Sequence, residues 1–120
     1  MIAVLLVALG AAVGAPLRYL TDRAVQARHD SVFPWGTFTV NACGSLLLGF
    51  LTALPANPTV TALLGTGFCG ALTTYSTFSY ETLRLVQQGA RFYALANVIA
   101  SVIAGLGAAG IGLLLAQAVT

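Results

Sequence analysis

The chain has 120 residues, 58% of them hydrophobic and only 7% charged, with a formal net charge of +2. A water-soluble domain of this length carries charge on roughly 25% of its residues, so the composition excludes that class and points into a membrane. The charge is also too small and too scattered to suggest a nucleic-acid partner.

The apolar residues come in four blocks free of Asp, Glu, Lys and Arg: Ile2 to Leu17, Trp35 to Leu54, Val60 to Tyr80, and Phe92 to Val119. Each approaches or exceeds the ~20 residues that cross a bilayer as a helix. The pattern predicts one transmembrane domain over residues 1–120, all α, with four helices at about 2–20, 33–54, 60–80 and 92–118.

The first block carries Gly10 and Gly14. Val13 and Ala15 fit a small-residue cleavage pattern, but the block lacks a basic leader and Pro16 would follow the cut, so a retained helix is expected. A charged connector follows from Arg18 to Asp30. His29 is alone there, with no second ligand to make a metal set.

On the second predicted helix, Thr37, Asn41 and Ser45 recur every four residues and share one face. The next connector, PANPTV, is uncharged and turn-rich. Cys43 and Cys69 both fall in apolar blocks, where small thiols serve close packing.

The third block holds the chain's densest polar run: from Thr73 to Tyr80 every side chain except Phe78 carries a hydroxyl. Such side chains compete for backbone hydrogen bonds, and Gly67 and Gly70 loosen the segment further. Local unwinding is expected here, exposing carbonyls that suit a cation and N–H groups that suit an anion. Unwound backbone at membrane depth is tolerated only in protein or beside a cavity.

A second charged connector runs from Glu81 to Arg91. On the last predicted helix, Asn97, Ser101 and Gly105 again share a face. These polar stripes read either as interhelical hydrogen-bonding glue or as a polar track through the bundle. A lone four-helix bundle fills its own centre, so a solute path is expected between two copies, and the many small residues suit such contacts.

No Ser/His/Asp set or carboxylate pair lies in the blocks, so no enzyme is expected. A proton-coupled antiporter of the small multidrug type normally needs an intramembrane carboxylate, which the blocks lack. Amides, hydroxyls and ring edges remain, with Arg18 and Arg84 raising the potential at the mouth. The chemistry leans towards a small anion that accepts hydrogen bonds. A non-transporting assembly protein is the other reading.

The stretches GAPLRY at 14–19, WGTFTVNACGSLLLG at 35–49 and GFCGALTTYSTFSYE at 67–81 resemble the CrcB/Fluc family of fluoride channels, in order and over nearly the whole chain. The resemblance implies four helices per subunit with the third broken mid-membrane. It implies an antiparallel, dual-topology homodimer enclosing two fluoride pores, in the cell (inner) membrane, with fluoride, a second copy and the lipid bilayer as partners. Asn41 matches the pore asparagine that donates to the ion. Tyr75 and Phe78 match a pair of phenylalanines whose ring edges face fluoride; Tyr at position 75 is a departure that keeps the edge and adds an O–H. Ser76, Thr77 and Glu81 match the same motif, and Asn97 and Ser101 fall where the last helix supplies polar pore groups. Arg18 matches the basic vestibule residue. Gly70 and Thr73 match the helix break, whose backbone carbonyls hold a structural sodium ion at the dimer interface.

All five arginines lie in the two charged connectors, on one side of the membrane, which would place both termini outside. An antiparallel homodimer requires both insertions. With Arg18 discounted as interior the bias is tolerable, and the homodimer rather than an oppositely biased partner protein is the expectation.

Overall fold

The computed structural model describes residues 1–29, 33–55 and 57–119, and among them every regular element is a helix. We number them α1 (Ile2–Arg28), α2 (Trp35–Ala53), α3 (residues 58–72), α4 (Ser76–Gln87) and α5 (Arg91–Val119). By length and composition α1, α2 and α5 can each cross a membrane. The remaining apolar block, residues 60–80, is divided between α3 and α4.

Two connectors are more helical than the charge pattern suggests. α1 runs on past Leu20 to Arg28, and α4 carries Glu81 onward to Gln87. Charge ends an apolar run but not a helix, and Arg, Gln, Glu, Leu and Ala are good helix formers. Asp30 lies outside the described residues. α4 stops where Gly89 takes a positive φ of 81°. There the Ala90 N–H donates to the Leu85 carbonyl at 2.8 Å and the Gly89 N–H to that of Val86 at 3.1 Å, a Schellman closure.

α3 is unusual in its wind. After a first turn at Pro58–Val60, started by the Asn57 side chain, residues Thr61–Cys69 form a π-helix before a last α-turn at Gly70–Leu72. This segment packs on α1 through glycine. A Cβ at Gly10 would fall on the Leu63 carbonyl oxygen, one at Gly14 on that of Phe68, and one at Gly67 on that of Val7. Numbers rise together along the contact, so α1 and α3 are parallel. α2 and α5 repeat the device: Gly49 meets the backbone of Ala109 and Gly112 that of Leu46. Without water to drive helices together, such backbone approach is what supplies dispersion contact. At its start α2 is held by a ring cluster, with Phe33 and Trp35 centroids 4.6 Å apart and Trp35 and Phe38 5.9 Å apart. Its first free amide, that of Gly36, donates to Gln26 Oε1 of α1 at 2.9 Å.

The outer surface is apolar. Leu5, Leu9, Ile103, Leu106, Leu114 and many like them are more than half exposed. This is what a lipid-facing surface requires.

Candidate functional site: the joint between α3 and α4

Helical wind stops after Leu72, where Thr73 is extended (φ −82°, ψ 160°), and resumes at Ser76. Buried backbone groups need partners, so the bonds of this joint can be accounted for one by one. Thr73 Oγ1 donates back to the Cys69 carbonyl at 2.8 Å. Thr74 Oγ1 accepts from the Thr77 N–H at 3.2 Å, capping the first turn of α4. The Thr74 peptide itself is taken by one side chain of α2: its N–H donates to Asn41 Oδ1 at 2.8 Å and its carbonyl accepts from Asn41 Nδ2 at 3.0 Å.

This has two consequences. An amide nitrogen carries two hydrogens, and only one of those on Asn41 Nδ2 is used by Thr74, so the side chain keeps a fixed donor. In addition, the amides that would continue the helix onto the Gly70 and Thr73 carbonyls, those of Thr74 and Thr77, are engaged elsewhere. Both carbonyls are thereby released from the helical pattern.

Three cavities meet at this joint. The largest, about 330 Å³, is a groove open along one side, lined by Asn41 and Ser45 of α2, Thr73 to Tyr75, Phe78, and Ser101, Val102 and Gly105 of α5. It contains no ionisable side chain besides the Tyr75 phenol. The second, about 200 Å³, lies beyond Thr74 and is lined by Arg18, Tyr19 and Asp22 of α1 with Thr37, Val40 and Thr77. The third, about 190 Å³, runs past Asn41, Gly44, Gly70 and Thr73. At Gly44 a Cβ would fall on the Thr73 methyl, so the glycine lets the joint approach α2.

The predicted site residues are distributed across this frame. Asn41, Tyr75, Phe78 and Ser101 share the groove. The Tyr75 ring, 82% exposed, stands 6.4 Å from that of Phe78. Thr77 and Arg18 face the second cavity together. Gly70 and Thr73 line the third. Ser76 is exposed and lines none of them. Asn97 is 1% exposed and lines none either: its Nδ2 donates to Thr82 Oγ1 at 2.8 Å, and its Oδ1 accepts from Ser101 Oγ at 3.3 Å. It orients Ser101 from behind while tying α5 to α4. Thr74, which holds Asn41, stood in the hydroxyl run without a role of its own; its spacing of three to Thr77 at a helix start was the available signal.

Glu81 lies in the second charged connector, past the joint on α4. It accepts from Thr37 Oγ1 at 2.5 Å. Burial pushes its carboxyl pKa above the ordinary value; the Thr37 bond opposes this, the Asp22 charge adds to it and Arg84 opposes it. Beyond it a polar cavity of about 290 Å³ opens between Gln26, Pro34, Arg84 and Gln88.

Among the described residues no three His, Cys, Asp or Glu side chains gather as a metal site. The freed Gly70 and Thr73 carbonyls are hard oxygen donors, of the kind that suit a hard cation.

Comparison with known proteins gives a family match: the model described as CrcB-like protein, Camphor Resistance (CrcB), covers residues 5–113. A protein of Streptomyces avermitilis named fluoride-specific ion channel FluC 1 is 67% identical over 118 residues, 95% of each chain. One of the same name from Frankia casuarinae is 63% identical over 124 residues, 96% of each chain. A third, from Thermobifida fusca, is 54% identical over 109 residues, 91% of each.

Proposed function

This chain belongs to the CrcB family, and from that premise we propose that it is a fluoride-selective channel for passive export of the ion. It is no enzyme: it forms and breaks no covalent bond. Hydrogen fluoride crosses lipid uncharged, ionises in the cytoplasm and is trapped as the anion, and an electrically negative interior drives that anion out.

The observation that carries this reading is the Asn41 amide fixed across the helix joint, in a groove of hydroxyls and ring edges without fixed charge. A dehydrated halide needs donors in place of its water shell. A fixed cation would hold it too tightly to leave, whereas neutral dipoles can bind and release it. Asn41 Nδ2 and the Phe78 ring edge are the donors of this path, with Ser101, Tyr75 and Thr77 at its sides. Asn97 acts through Ser101, and Arg18 concentrates anions at the vestibule.

The working unit is an antiparallel homodimer in the inner cell membrane. In its favour, the groove is open along one side and Tyr75 is left exposed, so a second copy would complete the wall. The joint would then lie mid-membrane. The Gly70 and Thr73 carbonyls of both copies would hold a structural sodium ion, which supplies charge balance between facing carbonyl dipoles. The small multidrug-type antiporter finds no support, because the groove offers no carboxylate.

The test is fluoride efflux from proteoliposomes, read with an ion-selective electrode beside a chloride control. Fluoride release without chloride release is expected. Comparable chloride release, or none of either ion, defeats the proposal. Tyr75→Phe in the same assay is expected to conduct, because the ring edge is kept.

A further inference from the structure

Charge in this molecule is sorted radially as well as to one end. All five arginines and all three acidic residues fall in the first and third connectors. The helix ends that carry them converge: Gln26 of α1 bonds Gly36 of α2, and Gln26, Glu81 and Arg84 line one cavity. The two described acids turn inward. Asp22 packs its carboxylate against Gly36, and Glu81 accepts from Thr37. The arginines turn outward: Arg23, Arg28, Arg84 and Arg91 are exposed, and Arg18 alone is half-buried. Arg23 donates to the Tyr19 hydroxyl at 3.0 Å, and Arg28 and Arg91 have no hydrogen-bond or ion-pair partner among the described residues. Exposed aromatic rings accompany them, with Tyr80 63% and Phe92 75% exposed. The opposite end, from Leu51 to Thr61, carries no charged side chain and no aromatic ring.

We propose that Arg23, Arg28 and Arg91 form a rim that binds anionic phospholipid headgroups. The inference rests on the reading that the chain spans a bilayer and is independent of what it conducts. A cationic rim from which the two described acids are turned away has no counter-charge among the described residues. At the edge of an apolar surface the available counter-charge is the headgroup phosphate, with aromatic rings at the same depth. Each arginine near an anionic surface adds roughly a fivefold preference over a neutral one.

The experiment uses the purified full chain in neutral detergent, titrated with dioleoylphosphatidylglycerol or dioleoylphosphatidylcholine, with retained lipid counted by native mass spectrometry. Phosphatidylglycerol retention is expected to exceed phosphatidylcholine by on the order of tenfold or more, and to weaken as sodium chloride is added. The triple variant Arg23→Gln, Arg28→Gln, Arg91→Gln is expected to lose that preference while still releasing fluoride from liposomes, which separates this proposal from the channel reading. Equal retention of the two lipids, a preference unchanged in the triple variant, or competition by inorganic phosphate at concentrations equal to the lipid's overturns it. Should the variant fail to fold, the wild-type salt titration decides, and retention indifferent to salt overturns the proposal.

Discussion

The two helices on either side of the joint are held by opposite means. α3 meets α1 backbone to backbone, with Gly10, Gly14 and Gly67 each placed where a methyl group would strike a carbonyl oxygen. α4 meets α2 and α5 through side chains: Glu81 to Thr37, and Thr82 to Asn97 to Ser101. The first contact is set by shape; the second is polar and set by hydrogen-bond partners. Shape fixes position without leaving free polar groups, so α3 serves as the anchor. Hydrogen bonding leaves spare donors and lone pairs, so the polar chemistry collects on the α4 side.

The sharpest way to break this contrast is at the anchor. Gly10→Val places two methyl groups against the Leu63 carbonyl and Phe68 amide, and overpacking against backbone costs about 3 kcal/mol or more. We expect little or no folded protein on size exclusion. At the joint itself, Asn41→Ala removes both partners of the Thr74 peptide and the donor to the groove. Fluoride efflux should fall about tenfold or more, the equivalent of one lost hydrogen bond at roughly 1.4 kcal/mol. On the polar side, Asn97→Ala should fold and lose only about 1 kcal/mol, because side-chain hydrogen bonds between membrane helices are individually modest. A melting curve in detergent checks this, and a loss as large as that of Gly10→Val would erase the distinction between the two halves.

The smallest effect concerns Glu81. Its carboxyl pKa is raised by burial, so the folded chain holds that proton more tightly than the unfolded one. Its contribution is therefore greatest at acid pH and declines as pH rises from the ordinary carboxylate value through the raised one. Glu81→Gln keeps an acceptor for Thr37 but cannot titrate, so its melting temperature should stay flat across that window while the wild type declines.

The apolar blocks were legible in the sequence because lipid imposes one rule on every lipid-facing residue, and the apolar runs within α1, α2 and α5 follow it. Their outer limits were less so: hydropathy stops counting near Leu20, while the helix continues to Arg28 on residues that differ in charge but not in helix-forming character. The break was legible in the hydroxyl run, since the chain leaves the helix at Thr73; the part played by the glycines was not. Gly67 and Gly70 both stay helical, Gly67 within the wider π-wind, and Gly67 is also spent on contact with α1. Glycine frees the backbone and also admits a neighbour, and a sequence does not say which use is made. The stripe of Thr37, Asn41 and Ser45 was visible as a face. That Thr37 would meet Glu81, and Asn41 the Thr74 peptide, was not, because those pairs are 44 and 33 residues apart and only the packed bundle brings them together.

Asn41 binds Thr74 at two points, and this makes the joint its own reporter. The two bonds are made by one planar group, so rotating that group ends both at once and frees the Thr74 amide proton to trade with water. Deuterium uptake at this peptide therefore measures how often the side chain turns, without any ion being present. A slow, single-rate uptake would mean that the donor waits already aimed.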